Sequence, residues 1–254
     1  MLQQYEDELA ANFEQFTNRW PEEMERAFSE LSEHDDHGDK FLRSYKRIVS
    51  INAWRSLIIQ STDSEGPVNF FVEAHNDAVS SHVFARLGSW RTALKSLRSC
   101  IENVLFCEFY KDHPVEFRKW KKSEHRITFQ KLLKYFQTHP EIKELPNHLS
   151  GLPRLNSEYA TLSQAVHSSA PSFRMTEGEE ETRLWSTDRA KLGAWHTRER
   201  ISLTGINLLL CALYREELQG AAQQGLRRAV SLTLSSSDLR DDIGDHLSIN
   251  LSSL

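Results

Sequence analysis

The chain has few of the residues that interrupt regular structure: ten glycines and seven prolines in 254 residues. That scarcity argues against a turn-rich β-sandwich or barrel, against an α/β enzyme with Gly-rich loops, and against collagen-like or low-complexity sequence. Cysteine is scarce as well. Cys100, Cys107 and Cys211 are odd in number, lie in apolar helical segments and form no CxxC or Cys/His pair, so they read as buried thiols in a reducing compartment. No stretch approaches the roughly 18 apolar residues of a membrane span. The opening MLQQYEDELA carries charge where a signal peptide needs an apolar run, so a cytoplasmic protein without membrane contact is expected. A basic excess is also missing: the net charge of -5 excludes a globally basic nucleic-acid binder. What remains, with 39% hydrophobic residues to build a core, is an all-α protein.

The charge is unevenly spread. Residues 1–39 hold twelve acids and two bases, so the segment stands at -10 and the rest of the chain at +5. Tyr5, Leu9, Phe13, Phe16, Trp20, Met24, Phe28 and Leu31 recur at three and four, the spacing of an amphipathic helix. Pro21 followed by Glu22 and Glu23 suits the first turn of a new helix. Two helices are therefore expected, about 2–19 and 21–32, each with one face committed to packing. The HDDHGDK run at 34–40 reads as a solvated loop rather than a metal site, for want of a fixed ligand spacing. A helix over about 40–60 follows, ended by the polar run at 61–67. Residues 1–60 thus form an acidic N-terminal helical arm.

Beyond it, 68–230 reads as a helical bundle and 231–254 as a Ser/Asp/Leu-rich tail. Val83, Leu87, Trp90, Leu94, Leu97, Ile101 and Val104 alternate spacings of four and three, which predicts one long core helix over 77–111. Arg91, Lys95, Arg98 and Glu102 run beside that seam, as a phosphate-contacting stripe or, preferred, a solvated face with an Arg98–Glu102 pair. Pro114 ends the helix. Residues 115–139 are the densest basic patch: Arg118, Lys119, Lys121, Lys122, Arg126, Lys131 and Lys134 among Phe117, Trp120, Phe129, Tyr135 and Phe136. Such interleaving suits phosphate contact and base stacking, with Arg118, Lys119, Lys121, Lys122 and Arg126 as the candidate DNA or RNA contacts. The competing reading buries Leu132, Leu133 and Phe136 and leaves the lysines in water. Helices over 156–169 and 197–219 complete the bundle around an irregular stretch at 172–195, and the last helix is the natural partner of 77–111.

No phosphate loop, GxSxG, HExxH or GxGxxG occurs, which removes the enzyme classes most legible in sequence. The segments SWRTALKSLRSCIENVLFCEFYKDHP (89–114) and SEYATLSQAVHSSAPSF (157–173), with Leu162, Ser163, Val166 and His167, resemble helices of HEPN-like bundles. The resemblance, over roughly 77–218, implies a HEPN-like helical bundle of the kind found in bacterial defence and toxin–antitoxin loci, and the N-terminal amphipathic arm precedes it. Active members of that superfamily are metal-independent ribonucleases with an Arg-x4-6-His motif. There the Arg would steady phosphate and the His would transfer protons. Arg118 to His125 and Arg189 to His196 match, each with six residues between, although Lys119 and Ala190 replace the polar residue usual after the Arg. His167 has no upstream Arg at that spacing and also reads as a core histidine bonded to Ser163 or a carbonyl. The expectation is a non-catalytic scaffold subunit of an antiviral or anti-plasmid defence complex, with no metal and no cofactor. Its partners would be other subunits, such as an SMC-like ATPase and a separate nuclease. A ribonuclease toxin is the alternative.

Overall fold

A computed structural model describes residues 2–32, 35–62, 66–167, 171–177, 181–182, 184–219, 223–234 and 236–251. It is an all-α protein. The N-terminal element, α1 (Leu2–Ser32), is one continuous helix rather than the two expected, with Pro21 inside it. Arg19 pairs with Glu23 across the proline at 2.5 Å, and Phe16 meets Trp20 edge-to-face at 5.1 Å in the turn before it. The exposed ion pair returns only a small part of the roughly 3 kcal/mol that an interior proline costs.

The helix α2 (Asp35–Trp54) loosens into a π turn over Arg55–Ile59 and closes as α3 (Gln60–Thr62). Its start at Asp35 replaces the expected loop over 34–40, while His34 and the side chains of Asp35, Asp36 and His37 lie outside the described residues. The expected long helix over 77–111 is two: α4 (Val68–Arg86) and α5 (Trp90–Asp112), folded against each other. Gly88 breaks them. It adopts φ +70°, Ser186 N donates to its carbonyl at 3.0 Å, and a Cβ there would stand 2.4 Å from Ser186 O. Leu87 and Trp90 keep the heptad spacing across the turn, which is why the seam conceals it. Trp90, Leu94, Leu97, Ile101 and Val104 are buried, whereas Val83 is exposed.

Next come α6 (Pro114–Lys121), entered through Pro114 at its first turn, α7 (Phe129–Thr138) and α8 (Leu152–His167). The intervening stretch to α9 (Arg189–Leu213) holds a minimal antiparallel pair, β1 (Thr176–Glu177) and β2 (Glu181–Thr182). Asp188 starts α9 eight residues ahead of the expected 197, its carboxylate accepting from Ala190 N at 2.7 Å. The chain ends in α10 (Arg215–Leu218), α11 (Gln224–Thr233) and α12 (Ser237–Leu247).

The centre of the fold is α9. From Ser202 to Ala212 every residue is buried, the mark of a helix enclosed on all sides. It packs against α2, α5 and α8, and α4 closes the group between α2 and α5. Gly151, at φ +72°, and Gly205 let α8 start hard against α9: a Cβ on Gly151 would lie 2.2 Å from Gly205 O. Each enclosed Leu or Ile of this core contributes about 1.5–3 kcal/mol of apolar transfer. Among the described residues no helix is long and apolar enough to cross a membrane.

Candidate functional site

The first candidate is the face of α1. The stripe residues Tyr5, Leu9, Phe13, Phe16, Trp20, Met24, Ala27 and Leu31 step by 4, 4, 3, 4, 4, 3, 4, an 11-residue repeat. At 3.67 residues per turn that repeat stays on one side of a nearly straight helix. Only its last turns meet the body: Ala27 and Leu31 are buried, and the Arg86 guanidinium covers Phe28 at 4.5 Å. Further out the same stripe lies in water. Phe13 is 68% exposed, Tyr5 59% and Phe16 57%. The expected packing of this face within the chain is therefore confined to its C-terminal end. Residues 2–32 carry eight acids and two bases, so the stripe is set in a helix of charge -6.

The second candidate is the ledge formed by α6. Phe117 is buried, stacked with Trp120 (interplanar angle 6°), and Trp120 in turn packs on Phe70 at 4.7 Å. This aromatic footing anchors the helix and leaves its other side to solvent. Arg118, Lys119, Lys121 and Lys122 are exposed, as is Arg126 in the following segment. Val115 and Trp120 present apolar surface among them, and a shallow depression is lined by Val115, Arg118, Lys119, Lys121 and Lys122 with Glu124. On α7, Leu132, Leu133 and Phe136 are buried while Lys131 and Lys134 face water. The structure thus concentrates an accessible cationic and apolar surface on α6, suited to phosphate or to an acidic helix.

The Arg/His pairs separate into different settings. His125 is half-buried, its Nδ1 3.1 Å from the Tyr110 hydroxyl and its ring stacked parallel to Phe109, so packing orients it. Arg118 stands on the exposed α6. His167 is exposed at the end of α8, which corrects its reading as a core residue. Ser163, four residues earlier, instead donates to Tyr159 O and accepts from Arg98 Nε at 3.2 Å. Arg189 opens α9 and is exposed; His196 is two turns on, on the same side, about 10 Å along the axis. Burial, with Arg47, Lys40, Arg43 and Arg200 around it, lowers the His196 pKa to about 4, so its imidazole is neutral.

Of the row Arg91, Lys95, Arg98 and Glu102, only Lys95 faces water; the other three are half-buried and tied to α8, in place of the solvated face expected. Arg98 pairs with Glu102 at 3.1 Å, as expected, and its other bonds reach Tyr159 OH at 2.6 Å and Ser163 on α8. Arg91 donates to Ala165 O and Val166 O at the end of α8. A cleft of about 180 Å³ beside it is lined by Trp90, Phe173, Trp195 and Arg198, and Arg198 is tied to the buried Glu158 at 2.9 Å.

A polar layer through the core escapes sequence reasoning. Arg47 Nε donates to Glu199 Oε2 at 2.6 Å, both side chains almost wholly buried, while Nη2 lies as close without hydrogen-bond geometry. Ser44 Oγ lies 2.9 Å from His82 Nδ1, and Trp54 Nε1 donates to Asn207 Oδ1 at 2.9 Å. Burial pushes the Glu199 carboxyl up, with Arg47 opposing it, and lowers His82 to about 4. The available signal is phase: Glu199 falls in step with Leu192, Trp195 and Leu203, and Arg47 with Ile48 and Ile51. Ser44 is completely enclosed, so this layer specifies packing rather than meeting substrate.

The thiols of Cys100 and Cys211 are buried, and burial raises the Cys211 pKa to about 12. Among the described residues no three His, Cys, Asp or Glu side chains gather as a metal site. Comparison with protein-family models, with curated proteins and with solved structures finds no match to the chain.

Proposed function

We propose that the chain is a non-catalytic scaffold subunit of a bacterial antiviral or anti-plasmid defence complex, a HEPN-like bundle that joins its partners through an N-terminal amphipathic arm. The observation that carries the scaffold reading is the exposed stripe of α1. An apolar face of this length left in water is a surface of the kind that a protein or membrane partner covers, and aromatic residues are enriched at the cores of protein–protein interfaces. The defence setting rests on the resemblance of residues 89–114 and 157–173 to HEPN-like helices. An SMC-like ATPase and a separate nuclease encoded beside the gene are the partners to test. Purification of the tagged chain with its neighbouring gene products, wild type against Phe13→Ser/Phe16→Ser, tests the reading. Loss of the complex with unchanged helical content supports it. A complex that survives both substitutions, or a chain that ignores its neighbours, refutes it.

One observation favours the ribonuclease alternative: a neutral His196 ringed by Lys40, Arg43, Arg47 and Arg200, with Arg189 on the same side of α9. It predicts metal-independent RNA cleavage abolished by His196→Ala. Cleavage unaffected by His196→Ala, His125→Ala and His167→Ala removes it.

A further inference from the structure

The two exposed surfaces of this chain complement each other. One is a helix, apolar along one side and -6 overall; the other is a ledge, apolar at Val115 and Trp120, within residues 114–134 that carry seven bases and two acids, +5. We propose that the α1 stripe of one copy docks on the α6 ledge of a second copy. The inference rests on reading α1 as a docking element, and not on the defence setting.

Three observations favour this occupant. A second α1 is the obvious rival, but it would bring -6 against -6 along the whole contact. An anionic lipid surface meets the same repulsion. Opposite fields steer and register the α1–α6 encounter instead, and neither surface has to desolvate a fully buried charge, since the lysines stay at the rim. The contact must also be large enough. Covering the whole stripe would remove roughly 500–600 Å² from water, but α6, eight residues and about 12 Å long, reaches less than half of the about 28 Å from Tyr5 to Met24. A stable interface takes about 800 Å² from each partner, so a single α1–α6 contact falls short; a two-fold exchange, α1 to α6 in both directions, doubles it to the size of a weak interface and closes without leaving a free end. Finally, the stripe is continuous with an existing interface: Ala27 and Leu31, its last members, already seat on the body of their own chain.

Charge exchange tests the pairing. By helical rotation Glu6 and Glu23 fall at the edges of the stripe. One variant carries Glu6→Lys, Glu8→Lys, Glu14→Lys and Glu23→Lys, which moves residues 2–32 from -6 to +2; the other carries Lys119→Glu, Lys121→Glu and Lys122→Glu, which moves residues 114–134 from +5 to -1. Sedimentation velocity of the full chain at low salt is expected to show concentration-dependent association of the wild type. Each variant alone should associate at least tenfold more weakly. An equimolar mixture should recover association, because the basic α1 of one variant meets the acidic ledge of the other while the remaining pair keeps its native signs. Phe13→Ser/Phe16→Ser should be monomeric with an unchanged circular dichroism spectrum. A wild type that is monomeric throughout overturns the inference. So does association that ignores the α6 reversals, which would point to α1–α1 pairing, or a mixture that stays dissociated. If the α6 reversals abolish binding of a single-stranded RNA or DNA oligonucleotide and leave self-association intact, the ledge is a nucleic-acid surface and the inference again fails. Capture of neighbouring gene products through α1 without self-association would end this inference and leave the scaffold reading standing.

Discussion

Replacing Glu199 with leucine probes the polar layer on which the central helix sits. The Glu199→Leu chain keeps a side chain of similar volume but leaves the Arg47 guanidinium, 6% exposed, without its counter-ion or the acceptor 2.6 Å from Nε. Arginine cannot escape by losing its proton. Breaking a buried pair on one side costs about 3–5 kcal/mol. For a chain of this size about 2–4 °C of melting temperature follows each kcal/mol, so a fall of roughly 6–20 °C is expected. The Arg47→Met/Glu199→Leu double variant removes both charges and restores apolar packing. It should recover most of that loss, since such replacements are often neutral. Urea unfolding followed by far-ultraviolet circular dichroism measures all three chains. The decisive quantity is the coupling, with the double variant at least ~2 kcal/mol more stable than the sum of the single changes. A Glu199→Leu loss below ~1 kcal/mol, or simple additivity, would show that the pair is hydrated and that α9 is not enclosed as described.

Acid stability should depend on the two lowered histidines. His82 and His196 have folded values of about 4 against 6.5 unfolded, so between those values the unfolded chain binds the extra protons and stability falls as pH drops from about 6.5 to about 4. Glu199 and Glu158, raised by burial, act in the opposite sense, so the readout is a difference: His82→Asn should flatten the decline, and an unchanged pH profile would contradict the burial of His82. Gly151→Ala should destabilise by ~2 kcal/mol or more, combining the cost of a left-handed conformation with a Cβ 2.2 Å from Gly205 O. Gly193→Ala on α9, where a Cβ meets nothing within 4 Å, should be neutral or stabilising. Equal melting temperatures for the two would refute the close approach of α8 and α9.

Local periodicity made the central elements legible. The stepping of Trp90, Leu94, Leu97, Ile101 and Val104 predicts α5, and the apolar run from Ile201 to Leu218 predicts a helix over 197–219 that α9 fills as far as Leu213, because a helix declares its buried side at a period near 3.6. The same logic overlooked the turn at Gly88, since a hairpin whose length preserves the spacing looks like an uninterrupted seam. Periodicity also gives no information on which apolar face finds a partner within the chain: Ala27 and Leu31 do, while Tyr5 to Phe16 do not. Of the candidate site, the α6 cations were visible as a cluster. The Arg47–Glu199 and Trp54–Asn207 pairs were not, because their partners lie about 150 residues apart and meet only once α2 packs on α9.

The central claim is that the exposed stripe of α1 is a docking surface. Amide hydrogen exchange across residues 3–24 tests it most directly, comparing the dilute isolated chain with the assembled complex. Backbone amides from Tyr5 to Met24 should exchange rapidly in the isolated chain, like an unsupported helix, and become protected on assembly, while α9 stays protected in both. Equal exchange of that segment in the two states, with the complex formed, would contradict the claim.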